Sequence, residues 1–345
     1  MLKSTVFGVS ASLTIAIAAQ AEVPRVATDI GPIHGLVSRV MKDLGEADVI
    51  IPPGASPHSY SMRPSEALAL SKADLVVWVG PALTPWMEGT IAELASSASV
   101  VSLLQTEGSK TLSFREGATF GSHDHDDHDD HADHDDHDDH ADHDDHDDHD
   151  DHADHDDHAD HDDHAGHDDH AHDHHGIDPH AWLSPENGKH WLSIIASELS
   201  HIDPEHAELY QANAKDGIAE IEALEARLAQ QLLPLKQQRF IVFHDAYQYF
   251  EQAFDLEAAG AISLGDASDP SPARVAEIQE TVREHSISCV FSEPQFNPAL
   301  VATVLEGVDA KTVVIDPIGV DLELGLSFYT ALLDKLGTSM ASCLQ

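Results

Sequence analysis

Histidine dominates the chemistry this chain could do. From His125 to His170 a histidine stands at every third position, sixteen in succession, and residues 123–175 hold 20 His and 26 Asp with no Lys, Arg or Glu. Neutral imidazole is a ligand for Zn, Cu and Ni. A period of three fits neither a helix nor a strand. The segment has no apolar side chain larger than Ala to bury, so nothing offsets its ordering entropy. The expectation for His123 to His175 is a disordered tract that collects metal weakly at many places. The alternative is a solvated linker without function.

Three histidines outside the tract stand in more specific places. His58 lies in Gly54-Ala55-Ser56-Pro57-His58-Ser59-Tyr60, after the short apolar run Val49–Ile51. His180 lies in Asp178-Pro179-His180-Ala181-Trp182, ahead of a helix start at Ser184-Pro185. His244 closes the apolar run Arg239–Phe243. In open α/β sheets ligands gather beyond the carboxyl ends of strands, and His58 and His244 occupy that position in different halves of the chain. Asp316, directly after Val313–Ile315, is a fourth candidate. Three imidazoles with one further position suit tetrahedral Zn²⁺. Any one of these histidines alone would more often be a structural residue.

The elements that must position these residues alternate strand and helix. Arg25–Thr28, Asp74–Gly80, Arg239–Phe243, Ile287–Phe291 and Val313–Ile315 read as strands, and Ile33–Leu44, Arg63–Ser71, Ala246–Phe254 and Pro272–Glu284 as helices. Asp269-Pro270 leads into the last of these, and Asn297-Pro298 caps another helix. Leu75 to Val79 is apolar on both faces, as a strand of a parallel sheet covered on both sides would be. Repeated βα units predict an α/β protein with mostly parallel sheets. Between the halves, Pro204 to Leu233 predicts one long helix with Ile221, Leu224, Leu228 and Leu232 on one stripe. It is either an ordinary surface helix or a stiff connector between two lobes.

The formal charge of −46 falls mainly on the tract, leaving −20 for the rest. Such an acidic surface argues against nucleic acid, which requires a Lys/Arg footprint, and suits a protein that gathers cations. Residues 1–21 read as a signal peptide: Lys3, an apolar run from Val6 to Ala19, and the small-residue cleavage site Ala19-Gln20-Ala21, with the mature chain starting at Glu22. No later run is apolar enough to span a membrane. The only two cysteines, Cys289 and Cys343, are predicted to form a disulfide in an oxidising compartment. The domain division expected is 22–203 for a first lobe containing 123–175, 204–233 for the connecting helix and 234–345 for a second lobe.

The strings Pro53-Gly54-Ala55-Ser56-Pro57-His58-Ser59-Tyr60, Ala73-Asp74-Leu75-Val76-Val77-Trp78-Val79-Gly80, Asp178-Pro179-His180-Ala181-Trp182-Leu183-Ser184-Pro185 and Phe243-His244-Asp245-Ala246-Tyr247 resemble the ZnuA group, periplasmic zinc-binding proteins of ABC importers. Ser292-Glu293-Pro294-Gln295-Phe296 and Asp316-Pro317-Ile318-Gly319 fit the same group. The resemblance implies two α/β lobes joined by one long helix, with the metal between them. It implies His58, His180 and His244 as the metal ligands and Zn²⁺ as the transported ion. The fourth position falls to water or Asp316, because Pro57 stands where some relatives carry an acidic residue. His244 favours zinc, since manganese-specific relatives place a Glu there. His34 matches no ligand position, and His190, His201, His206 and His285 read as surface residues of helices or caps. Trp78, Trp86 and Trp182 read as packing residues.

The function expected is zinc capture in the periplasm and delivery to an ABC-type permease by a monomer, with no nucleic-acid partner and no catalysis. The competing expectations are a periplasmic zinc buffer or chaperone, and a zinc hydrolase using a three-His site. Against the hydrolase, the chain has no HExxH and no nucleophile elbow.

Overall fold

The computed structural model describes residues 23–115, 117–120, 176–263, 270–296, 298–307 and 310–345. Residues 1–21, read as a signal peptide, the His/Asp tract and the helix-entry residues Asp269 and Asn297 lie outside the described residues.

The first half lays down β1 (Val26–Thr28), α1 (Gly31–Met41), β2 (Ala47–Val49), α2 (Pro64–Lys72), β3 (Leu75–Trp78), α3 (Pro85–Leu94) and β4 (Ser99–Ser102). Its sheet runs β2-β1-β3-β4 with every pair parallel. After α4 (Pro185–Ile202) and α5 (Ala207–Leu232) comes a second set: β5 (Arg239–His244), α6 (Gln248–Phe254), β6 (Glu257–Ser263), α7 (Pro272–Glu284), β7 (Cys289–Ser292), α8 (Pro298–Val304) and β8 (Lys311–Val314), closed by α9 (Phe328–Leu344). Its sheet runs β6-β5-β7-β8, again all parallel, so both lobes share one topology. In each, strand order reverses beside the first strand, which opens a crevice at the carboxyl ends there.

Local sequence explains much of this. All four residues of β3 are buried, as a parallel strand covered on both faces requires. Helices α1, α2, α3, α4 and α7 carry Pro in the first turn, where its missing N–H would have had no helical partner. Ser184 caps α4 by accepting the Asn187 N–H at 3.3 Å.

The long helix α5 is a connector. Its 26 residues span about 39 Å. On the first lobe, Arg39 of α1 pairs with Glu220 at 2.9 Å, and Asn213 Nδ2 donates to the Val40 carbonyl at 2.9 Å. Toward the second lobe, Leu228 packs against Gly337 of α9, where a Cβ would lie 2.6 Å from Leu228 Cδ2. Helix α9 also reaches the first lobe: Phe328 covers Gly31 and Gly35 of α1, and Tyr329 covers Gly188 of α4. One apolar cluster therefore runs through α1, α4, α5, α9 and both sheets. Among the described residues no helix is long and apolar enough to cross a membrane.

The structure departs from the sequence reading in several places. The connector is helical over 207–232, with short 3-10 turns at either end rather than one helix from 204 to 233. The strand β6, sequence Glu-Ala-Ala-Gly-Ala-Ile-Ser, carries no strand signal because its alanines and glycine lack β propensity. Residues Ala118 to Phe120, read as part of the first lobe, lie along β6 of the second. The predicted disulfide is present: Cys289 of β7 and Cys343 of α9 are bonded, their Cα atoms 5.8 Å apart.

Candidate metal centre

His58 sits on a 3-10 turn, Pro57–Ser59, after β2. That turn is held by Trp86, whose Nε1 donates to the Pro57 carbonyl at 3.0 Å. His180 precedes the 3-10 turn Ala181–Leu183 that leads into α4. His244 is the last residue of β5. The three line one cleft together with Trp182, Glu293 and Phe296. The ring centres of His58 and His180 are 5.7 Å apart, and those of His180 and His244 5.2 Å. Two imidazoles on one tetrahedral zinc, at about 2.0–2.1 Å per Zn–N bond, hold their ring centres about 5 Å apart. The observed spacing is thus near that of a shared ion, although among the described residues no group of three His, Cys, Asp or Glu stands close enough together to hold one as it is.

Two of the rings are oriented by buried carboxylates. His180 Nδ1 lies 2.7 Å from Asp178 Oδ1, which also accepts the His180 backbone N–H at 2.9 Å. His244 Nδ1 lies 2.8 Å from Glu293 Oε1, which accepts the His244 N–H at 3.4 Å. Both carboxylates are buried, Asp178 to 1% and Glu293 to 4% exposure. Where each acid oxygen accepts from the ring, Nδ1 carries the proton and Nε2 is left as the coordinating nitrogen. Burial pushes the Asp178 carboxyl up to about 7, while the His180 N–H, Arg115 and His244 pull it down. Burial, then Glu293 and Asp316, push the Tyr247 phenol well above its ordinary range, so it stays neutral beside the cleft.

The walls are aromatic. Phe296 stacks on Phe243 at 4.1 Å and meets the His244 ring edge at 5.5 Å. Trp182 lies 5.2 Å from His180, and its Nε1 donates to the Pro317 carbonyl at 2.7 Å, linking the two lobes at the cleft floor.

Asp316 has other occupations. Its Oδ1 accepts Gln295 Nε2 at 3.2 Å and the Ile318 N–H at 3.1 Å, and its Oδ2 accepts the Val320 N–H. These bonds shape the loop that brings Pro317 and Ile318 to the cleft. His34 is buried in α1, its Nε2 donating to the Ala47 carbonyl at 3.1 Å, and burial lowers its pKa. His201 and His285 are exposed, as read. His206 pairs with Asp203 at 2.6 Å, and His190 is half-buried over Gly108. Trp86 and Trp182 do more than pack, since each holds a cleft loop through its indole N–H.

Sequence reasoning missed the roles of Asp178 and Glu293. The signal for Asp178 was its place two residues before His180, where an Asx turn can grip the following N–H. Glu293 had none, being 49 residues from His244.

A family model described as zinc-uptake complex component A, periplasmic (ZnuA), matches residues 26–343. The protein named high-affinity zinc uptake system protein ZnuA in Paracoccus denitrificans (strain Pd 1222) is 46% identical over 332 residues, covering 96% of this chain and 95% of the relative. The chain belongs to the ZnuA family. A ZnuA relative of the same name in Brucella abortus (strain 2308) is 43% identical over 319 residues, covering 92% and 91% of the two chains. Among solved structures, a ZnuA deletion mutant with zinc bound is similar with a TM-score of 0.69 at 22% identity, covering 94% of this chain and 98% of that one. At that identity the likeness speaks for the ZnuA fold: two parallel-sheet lobes joined by a long helix.

Proposed function

We propose that this chain captures Zn²⁺ in the periplasm and hands it to the permease of an ABC importer, with His58, His180 and His244 as ligands. The observation that carries the reading is the pair of imidazoles backed by buried carboxylates in one cleft. A dication leaving water needs countercharge and neutral donors together. Neutral imidazole nitrogens bond the ion directly, and a bound dication favours the ionised form of the Asp178 and Glu293 carboxyls one ring away, which supply the countercharge. Their grip on each Nδ1 raises ligand basicity and removes the entropy of ring rotation. The fourth position goes to water, because both oxygens of Asp316 are held by protein donors. Three imidazoles favour Zn²⁺ over the harder Mn²⁺. A cargo site must also release its ion, and protein ligands drawn from loops of both lobes let a change at either lobe edge open the shell. The zinc is cargo, and no catalytic role is proposed for it.

The domain division goes with this reading: a leader over 1–21, a first lobe over 22–203 apart from 118–120, which lie along β6, a connector over 204–233 built on α5, and a second lobe over 234–345. Residues 123–175 act as an auxiliary weak collector of zinc. Its binding fades as pH falls through about 6.5, where free imidazole protonates.

Zinc titration calorimetry of the chain lacking 123–175, with and without His244→Ala, tests the assignment. The parent retains one tight site and the variant loses it, since two protein ligands fall below the three of a tight open zinc site. Unchanged tight binding in the variant overturns the ligand set. Loss of tight binding on removing 123–175 alone would place the tract in the primary site.

A further inference from the structure

The most heavily bonded charged group near the cleft is one that the zinc site does not use directly. Residues 112–115 lie against the first lobe's neck and residues 117–120 lie on the second lobe. Ser113 pairs antiparallel with Ile177, Phe114 N–H donates to the Gly176 carbonyl at 3.2 Å, and Asp178 N–H donates to the Leu112 carbonyl at 2.8 Å. His180 emerges from this neck. Further on, Phe120 N–H donates to the Ala259 carbonyl at 2.8 Å and Ala261 N–H to the Ala118 carbonyl at 3.0 Å, laying the segment along the outer edge of β6. Gly260 permits the approach: a Cβ there would fall 2.3 Å from the Ala118 oxygen.

Arg115 stands between neck and edge. Its Nε donates to both oxygens of Asp245 at 3.0 and 3.1 Å, Nη2 also meets Asp245, and Nη1 and Nη2 each reach Glu251 at 2.8 Å. Phe120 covers the guanidinium at 3.9 Å. Asp245 and Glu251 are buried to 8% and 3% exposure, and this guanidinium bonds both; Glu251 also accepts the Ala258 N–H at 3.0 Å, and Arg274 lies near enough to Asp245 to feel its charge. Asp245 directly follows His244. Tyr249, on the same helix as Glu251, accepts the Leu112 N–H at 2.9 Å and donates to the Asp178 carbonyl at 2.8 Å. The backbone beside Asp178, which grips His180, and the residue after His244 therefore belong to one frame, and Arg115 is its charged joint.

We propose that Arg115 is a positioning residue for zinc, a clasp between the lobes that sets the His180–His244 spacing. The proposal rests on those two histidines being ligands. Removing the guanidinium leaves two buried, mutually repelling carboxylates next to His244. They separate or take up water, and the end of β5 shifts with them. A planar fork bonded to both acids has no equivalent in a lysine ammonium.

The test uses the full chain carrying Arg115→Ala, Arg115→Lys or His180→Ala, with Arg227→Ala as a control that cuts only the exposed pair to Asp334. Three readouts are taken: zinc Kd by competition with a tight chelator, which outcompetes weak sites; the visible spectrum of the Co²⁺-substituted cleft, which reports ligand geometry; and the thermal midpoint of the metal-free protein. Arg115→Ala raises Kd about 10- to 100-fold, the range for losing a group that orients metal ligands, and shifts the Co²⁺ bands. Arg115→Lys falls between it and wild type, and Arg227→Ala leaves both readouts unmoved. If Arg115→Ala fails to fold, Arg115→Lys decides by the same two readouts. A Kd within twofold of wild type and an unchanged Co²⁺ spectrum overturn the clasp, whatever the midpoint does. If His180→Ala also leaves Kd unchanged, it is the ligand assignment that fails. If His180→Ala abolishes tight binding while Arg115→Ala does not, the clasp alone fails.

Discussion

Replacing Glu293 by glutamine isolates the contribution of a charge that never touches the metal. The amide oxygen can still accept the Nδ1–H of His244, so shape and hydrogen bond persist while one negative charge is lost. Glu293 Oε1 lies 2.8 Å from that nitrogen. Across the ring and one Zn–N bond, the ion sits about 4 Å beyond Nδ1, which places it about 7 Å from the carboxylate. At an effective dielectric of about 20, a dication and a unit charge at that distance attract by about 5 kcal/mol. This is an upper bound, because the metal-free cleft also reorganises around the lost charge. Carboxylates that orient metal-bound histidines contribute 10- to 100-fold in affinity, about 1.4–2.7 kcal/mol. The expected loss therefore lies between about 1.4 and 5 kcal/mol, and Kd rises at least tenfold. Competition with a tight zinc chelator at constant pH and ionic strength measures it, with circular dichroism to verify an unchanged fold. A Kd within twofold of wild type would show that Glu293 is a structural partner of β5 and that the countercharge argument is wrong.

Three further outcomes follow from the packing. Cys289→Ser with Cys343→Ser opens a loop with a sequence separation of 54 and lowers stability by roughly 4 kcal/mol on the chain-entropy model, read by denaturant unfolding; an unchanged midpoint contradicts it. Gly188→Ala places a Cβ 2.3 Å from the Tyr329 hydroxyl, which donates to the Trp182 and Ser184 carbonyls, and costs about 1–3 kcal/mol in thermal unfolding. Asp29 is fully buried and its carboxyl is pushed up to about 7, mainly by burial, against the N–H groups of Val79 and Ile30 that lower it. Its folded value exceeds its unfolded one, so its stabilising contribution is full below about pH 3.8 and lost as pH rises through about 7. The stability difference between wild type and Asp29→Asn should accordingly change between those limits, and a difference flat across that window would rule it out.

The parts legible in the sequence are those where local chemistry and final position coincide. The run Leu75 to Val79 is apolar on both faces because it is covered on both faces. His58, His180 and His244 each stand in a short string, two of them after apolar runs and one before a helix cap, and the fold brings these strings to one cleft. The connector is visible as a stripe of Ile221, Leu224, Leu228 and Leu232, all buried. What was hidden depends on contacts far apart in the chain. Strand β6 is written in alanine and glycine because the Ala118 carbonyl must approach Gly260, and those letters say nothing about a strand. Gly188 is small because Tyr329 lies over it, 141 positions later in the numbering of this chain. Glu293 reads as one acid among many until it meets His244. Arg115 sits in a stretch without periodicity, and its role emerges only from Asp245 and Glu251.

The most direct measurement is an anomalous difference map at the zinc edge from crystals of the zinc-loaded chain lacking 123–175. One strong peak is expected in the cleft, bonded at about 2.0–2.1 Å by Nε2 of His58, His180 and His244, with Asp316 turned to its backbone partners and water in the remaining position. A peak elsewhere, or coordination through an Nδ1 that the structure assigns to Asp178 or Glu293, would contradict it.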